Sequence, residues 1–228
     1  MKTFAIQIIT IFFLAACQKK DTTTEPIKED KNIVTQSNCP IFLDGEFSYP
    51  EGVSVIIKDS NFESLFRLSF DSDTTINGLM LASDVLKIDS LVTRGFGTHP
   101  IYEKQNIKNM NGIRYFKNLK LLKCMGHSID TLDLRFNKKL EELQITGFSS
   151  PGGWASSQGK VLMLGKNDNL KKIHLSTLLT ELDLRGTPNL KELDVQNSYD
   201  LKYIYISNAN AVQKDWKKPA STVYVVCK

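Results

Sequence analysis

The sequence predicts a solenoid of short parallel β-strands joined by turns, preceded by a small α-helical N-terminal cap. Three observations carry this expectation. The spacing apolar-x-x-apolar-x-apolar recurs eight times, once weakly, after residue 118. The copies start 9 to 11 residues apart, except for one step of 19. Residues 40 to 118 lack the spacing and read as a strand and helices.

The copies are Leu119-Leu122-Cys124, Ile129-Leu132-Leu134, Leu140-Leu143-Ile145, Leu170-Ile173-Leu175, Leu179-Leu182-Leu184, Leu190-Leu193-Val195 and Leu201-Ile204-Ile206, with the weaker Gly159-Leu162-Leu164 in the long step. Positions four and six are two apart, so they share one face of a strand. Position one turns the chain inward just before it. A single coil cannot bury such a stripe, whereas stacked coils make one continuous core. Two adjacent units form a repeat of 20 to 22 residues. Asn137 and Asn167 fall nine residues into their units, with Thr187 equivalent, where a polar side chain satisfies turn backbone groups between coils. Period-two pairs with regular turns exclude a helical bundle.

This is a pattern similar to that of leucine-rich repeat proteins, and it resembles the bacterial, internalin-like surface type in particular. The stretches that carry the resemblance are LKLLKC, IDTLDLRFN, LEELQI, LDLRGTPNLKELDV and LKYIYI, within about residues 113 to 210. The resemblance implies a binding scaffold rather than an enzyme, with a protein or a glycan as ligand. The scaffold itself does not select the ligand.

The other segments follow from composition. Phe4 to Ala16 is a short apolar run behind Lys2, which reads as an export signal; it is shorter than the ~20 residues a spanning helix needs. It ends in Leu14-Ala15-Ala16-Cys17, which resembles the lipobox of bacterial lipoproteins. That resemblance implies cleavage before Cys17, lipid on its sulfur and amino group, and anchoring in the outer membrane. Gln18-Lys19-Lys20-Asp21 resembles the charged signals that send some lipoproteins to the cell surface; a periplasm-facing orientation is the alternative. The expected divisions are a signal peptide (1–16), a lipidated disordered tether (17–39), a cap region (40–118), the repeats (119–210) and a C-terminal cap (211–228). Val53–Ile57 predicts a strand, Ser60–Phe70 a helix opened by Ser60, and Leu79–Leu91 a second helix. In the C-terminal cap, Ser221–Cys227 predicts a closing strand, and Trp216 suits packing there.

The same reading excludes several chemistries. A net charge of +4, from 29 basic and 25 acidic residues, is too small and too interleaved for nucleic acid. The three histidines, His99, His127 and His174, show no ligand spacing, so no metal and no cofactor is expected. Asp71 and Asp73 resemble the start of a calcium loop, but Ile76 stands where its glycine belongs and Ala82 where its glutamate belongs. Cys124 occupies an inward apolar slot. Cys39 and Cys227 mark opposite ends of the array, so no bond between them is expected unless the Cys39 segment runs back along it. No catalytic residue is proposed.

Candidate partner-binding residues are Phe148, Trp154, Tyr203, Tyr205 and His174. Phe148 and Trp154 lie in the insertion GFSSPGGWASS that makes the long step; Trp154 either meets a partner or folds back onto the solenoid edge. Tyr203 and Tyr205 face outward with Asp133-Arg135 and Asp183-Arg185 in one row, where cross-strand Asp–Arg pairs are expected. The cap is an alternative cover for the two tyrosines. His174 lies in the other row, with Lys123, Gln144 and Asp194. The expected role is a lipid-anchored binding module at the bacterial envelope, for a protein or glycan; the alternative is an accessory subunit of an envelope complex.

Overall fold

The computed structural model describes residues 32–45, 54–67, 75–95, 106–147 and 160–228. All of them belong to one of the chain's two units, residues 32–228. In chain order come β1 (Ile33–Gln36), β2 (Ser54–Ile56), α1 (Ser60–Arg67), β3 (Leu79–Leu81), the one-turn α2 (Ala82–Val85) and β4 (Ser90–Arg94). A 3₁₀ turn (Asn111–Tyr115) leads to β5 (Leu121–Met125), β6 (Thr131–Asp133), β7 (Glu142–Thr146) and β8 (Val161–Met163). Then follow β9 (Lys172–Ser176), β10 (Glu181–Asp183), β11 (Glu192–Asp194) and β12 (Tyr203–Ile206). A second 3₁₀ turn (Ala209–Ala211) precedes β13 (Val223–Cys227).

Each predicted unit forms one short strand, and alternate units stack into two ladders. The first ladder runs β4-β5-β7-β9-β11, parallel throughout. The second contains β6-β8 and β10-β12-β13-β1, again parallel. The register is set by the apolar stripe, because a one-residue slip would turn every inward side chain outward. Leu122, Leu143, Ile173 and Leu193 therefore stand in one row. All four are buried, as are the position-one residues Leu119, Leu140, Leu170 and Leu190. Burying such a side chain contributes roughly 1.5–3 kcal/mol, and the parallel ladders make that gain repeat at every coil.

The turns between coils close as the spacing predicts. Asn137 Nδ2 donates to the carbonyls of Ile113 and Phe116, at 2.8 and 3.1 Å. Asn167 Nδ2 donates to those of Leu134 and Leu164, at 3.1 and 2.6 Å. Thr187 Oγ1 donates to the Leu184 carbonyl at 2.9 Å. Ahead of the repeats, Phe62, Phe66 and Phe116 pack ring to ring at 5.1–5.9 Å and extend the same core.

Several expectations are corrected. The N-cap of α1 is Asp59, not Ser60: its Oδ1 accepts the N–H groups of Asn61 and Phe62, and its Oδ2 those of Lys108 and Asn109. A carboxylate with four backbone donors both starts the helix and ties it to the segment before the repeats. The helix expected over Leu79–Leu91 is absent. Its ends are strands β3 and β4, with only α2 helical between them. β4 buries Leu91 and Thr93 against β5, and Ile88-Leu91-Thr93 is a degenerate copy of the repeat spacing. The parallel ladder thus begins within the span read as cap.

The tether is not disordered up to residue 39. Ile33–Gln36 form β1, which pairs with β13 at the far end of the array. Residues 40–45 then run back over the second ladder, touching Arg185, Gly165 and Phe136 in turn. This is the one path that brings Cys39 to Cys227, and the two are disulfide-bonded with Cα atoms 5.7 Å apart. The closing strand forms as predicted, in β13. Trp216 packs 6.2 Å from Tyr224 and donates to the Lys191 carbonyl, so it belongs to the cap.

Candidate functional site

The first ladder presents an outward row of Val92, Lys123, Gln144, His174 and Asp194. Its charges pair across coils: Lys123 with Glu142 at 2.7 Å, Lys172 with Glu192 at 2.8 Å. His174 lies half-buried between Gln144 and Asp194. The surface is a lattice of exposed ion pairs, each worth less than about 1 kcal/mol.

The second ladder is different, because residues 40–45 cross it as a strap. Arg185 holds the strap. Its Nε and Nη2 fork onto the Asp183 carboxylate at 2.9 and 2.6 Å, and Nη2 also donates to the Pro40 carbonyl at 2.8 Å. The guanidinium stacks over Phe42 of the strap and over Tyr205, 5.4 and 5.9 Å from the ring centroids. The Asp183 hydrogen bond, more than any other contact, raises the affinity of Arg185 for its proton. Two coils earlier, Arg135 and Asp133 form the same fork, and Arg135 lies over Phe136. These pairs are two residues apart within one chain segment, not cross-strand as expected. Asp44 fastens the strap's other end, accepting from Lys138 Nζ at 2.8 Å and from the Lys166 N–H at 3.1 Å. The Lys138 ammonium, more than any other group, holds its carboxyl down at about 2.

Between the strap and the ladder lies a groove of about 270 Å³. Strap residues 40–43, residues 160–165 around β8, and Thr180, Glu181, Asp183 and Tyr205 line it. Its rim is apolar and open: Ile41 is 84% exposed, Leu43 52% and Val161 46%. Tyr203 is 38% exposed beside it, whereas Tyr205 is only 6% exposed. The expectation that both tyrosines face outward is corrected for Tyr205, which is buried; Tyr203 is exposed. The cover over Tyr205 includes Arg185 and the strap, not only the C-terminal cap. Burial raises the Tyr205 hydroxyl's pKa, with Glu181 adding to it.

Phe148, Trp154, His99, Asp71, Asp73 and Cys17 lie outside the described residues. Among those described, no three His, Cys, Asp or Glu side chains gather to hold a metal, and no helix is long and apolar enough to cross a membrane. Cys124 sits inward against Met110, and burial pushes its thiol up to about 12, far from a reactive thiolate. His127 is buried between Thr93 and Ile107. Its Nδ1 accepts the Ile107 N–H, so Nε2 carries the proton and donates to Thr93 Oγ1 at 2.8 Å. Sequence reasoning missed the strap and the groove altogether. The only available signal was Pro40-Ile41-Phe42-Leu43, an apolar run with no periodic partner.

No protein-family profile matches the chain, and the curated proteins hold no match to it. Among solved structures it is similar to two internalins of Listeria monocytogenes. The functional domain of InlJ, described as including a cysteine ladder, is 19% identical over 68% of this chain, with a TM-score of 0.39. The internalin inlF is 16% identical over 75% of this chain, with a TM-score of 0.36. The chain spans 38% and 56% of those two proteins.

Proposed function

We propose that this chain is a lipid-anchored leucine-rich repeat module that binds a protein partner at the bacterial cell envelope, without an enzymatic activity of its own. One observation carries the binding role. Ile41, Leu43 and Val161 are held exposed around a groove by an arginine fork, an aspartate bridge and a disulfide. An apolar patch fixed on a charged array is characteristic of an interaction site. Aliphatic side chains in the rim favour a protein over a glycan, which calls for flat aromatic platforms and polar rims.

The anchoring role rests on Leu14-Ala15-Ala16-Cys17 alone, and export is supported independently by Cys39–Cys227. A disulfide persists outside the reducing cytosol, so it supports export. Attachment of lipid to Cys17 places the module at the outer membrane. The charged residues after Cys17 favour the cell surface. The test is protease treatment of intact cells, with Cys17→Ala as control. Digestion while a periplasmic marker survives is the expected result. Protection until the outer membrane is opened turns the partner search to the periplasm. A Cys17→Ala protein that stays membrane-bound at unchanged size overturns the anchor.

A further inference from the structure

The two ladders finish differently. The last strand of the first, β11, is covered: the Lys217 N–H donates to the Leu193 carbonyl and the Val195 N–H to the Lys217 carbonyl, both at 2.8 Å. The last strand of the second is β1, whose one neighbour among the described residues is β13. The Asn32 and Gln36 carbonyls accept the Tyr224 and Lys228 N–H groups, at 2.8 and 3.0 Å. Alternate residues of a strand send their N–H and C=O groups to opposite sides. Asn32, Val34 and Gln36 therefore face β13, and Ile33 and Thr35 turn both of their groups away from it. Among the described residues, no backbone hydrogen bond reaches those four groups.

An open edge pairs with another strand unless charge, proline or a bulge deters it. Residues 32–38 (NIVTQSN) contain no charged residue and no proline, and β1 keeps an unbulged register with β13 over all its four residues. Ile33, Val34 and Thr35 are β-branched and suit a strand. Val34 continues the outward row of Asp183, Tyr205 and Val225 and is 39% exposed. A second copy of the chain supplies the same edge, and two copies related by a two-fold axis meet there antiparallel. The free groups fix the register. Ile33 of each copy lies opposite Thr35 of the other, and four hydrogen bonds between the copies use every free group of β1. Within β1, no other two-fold register uses them all. Val34 then stands on the axis, opposite its counterpart as a non-hydrogen-bonded pair with Cα atoms about 4.5 Å apart. Two β-branched side chains pack well at such a position.

We propose that β1 is a self-pairing edge: two copies of this chain join β1 to β1, antiparallel across a two-fold axis at Val34, so that the second ladder of one copy runs on into that of the other. The proposal goes beyond the binding role above and does not involve the groove, so either can fail alone.

The test is cysteine cross-linking of the full chain. On the axis, the Cα separation falls within the about 4.4–6.8 Å that a disulfide spans. Val34→Cys is therefore expected to give a covalent homodimer under mild oxidation, linked through position 34. Asn32→Cys, whose counterpart lies four residues of strand rise away, about 13 Å, is expected to give at least tenfold less. Adding Thr35→Pro to Val34→Cys removes an outward N–H but no bond to β13. It is expected to cut the cross-linking at least tenfold at an unchanged melting temperature. Equal cross-linking at positions 32 and 34 reports random collision and overturns the proposal. Absence of a homodimer from Val34→Cys overturns it as well. So does a Val34→Cys chain that, on intact cells, links to a different protein in place of its own copy, because the edge is then a docking strand for that protein.

Discussion

Arg185 shows how one side chain fixes a functional surface. It joins Asp183, the Pro40 carbonyl and two aromatic rings, and each contact needs a planar fork rather than a point charge. Arg185→Lys keeps the charge but loses the fork and the stacking. The expected loss is about 1–2 kcal/mol in urea melts, with faster amide exchange confined to residues 40–44. His127 is the second informative residue. Its burial, only partly offset by Asp59, holds its pKa at about 4, below the ordinary 6.5. Between those values the unfolded chain takes up a proton that the folded chain refuses. Its contribution is therefore complete above about pH 6.5 and is lost as the pH falls toward 4, by about 3 kcal/mol. Urea melts at pH 7 and pH 4.5 should show most of that loss, and a His127→Gln chain that still folds should show a flatter profile.

At the scale of elements, the sequence was legible where a physical requirement repeats. Every coil must bury the same three positions, so β5 to β12 follow from the leucine spacing alone. β4 satisfies the same requirement with Ile88, Leu91 and Thr93, but a threonine in the sixth slot hides the pattern. The segment Leu79–Leu91 then reads as an amphipathic helix until pairing with β5 makes its end a strand. β1 left no periodic trace, because a four-residue edge strand needs no stripe of its own. The Cys39–Cys227 bond was illegible for the same reason: it depends on which distant edge β1 meets. Of the candidate site, Tyr203 and the outward rows could be read from alternation. The strap and groove could not, since they arise from a non-repeating segment lying on a repeating one. The bond spans 188 residues, so it restricts the unfolded chain strongly. Removing it as Cys39→Ser with Cys227→Ser is expected to lower stability by about 3–5 kcal/mol, measured by guanidinium unfolding. β1 should then be the first strand to exchange its amides.

At the scale of the whole molecule, an ordinary solenoid contacts only its neighbours along the array and frays from either end. Here the strap runs beside the coils and connects the end that carries β13 to the beginning of the array. Loosening at either end is then felt at the other, which favours a single unfolding transition over stepwise peeling. The pairing of β1 with β13 also sets an order of events. Cys39 leaves the ribosome long before Cys227 exists to receive it, because 188 residues separate them. Throughout that interval its thiol lacks the cysteine it bonds in the finished fold. The array must stack without its strap, and the bond records, as a covalent mark, that the stacking has reached its end. Maturation of this chain is therefore timed by its last strand, and a chain arrested before Cys227 should carry the unpaired thiol by which quality control can recognise it.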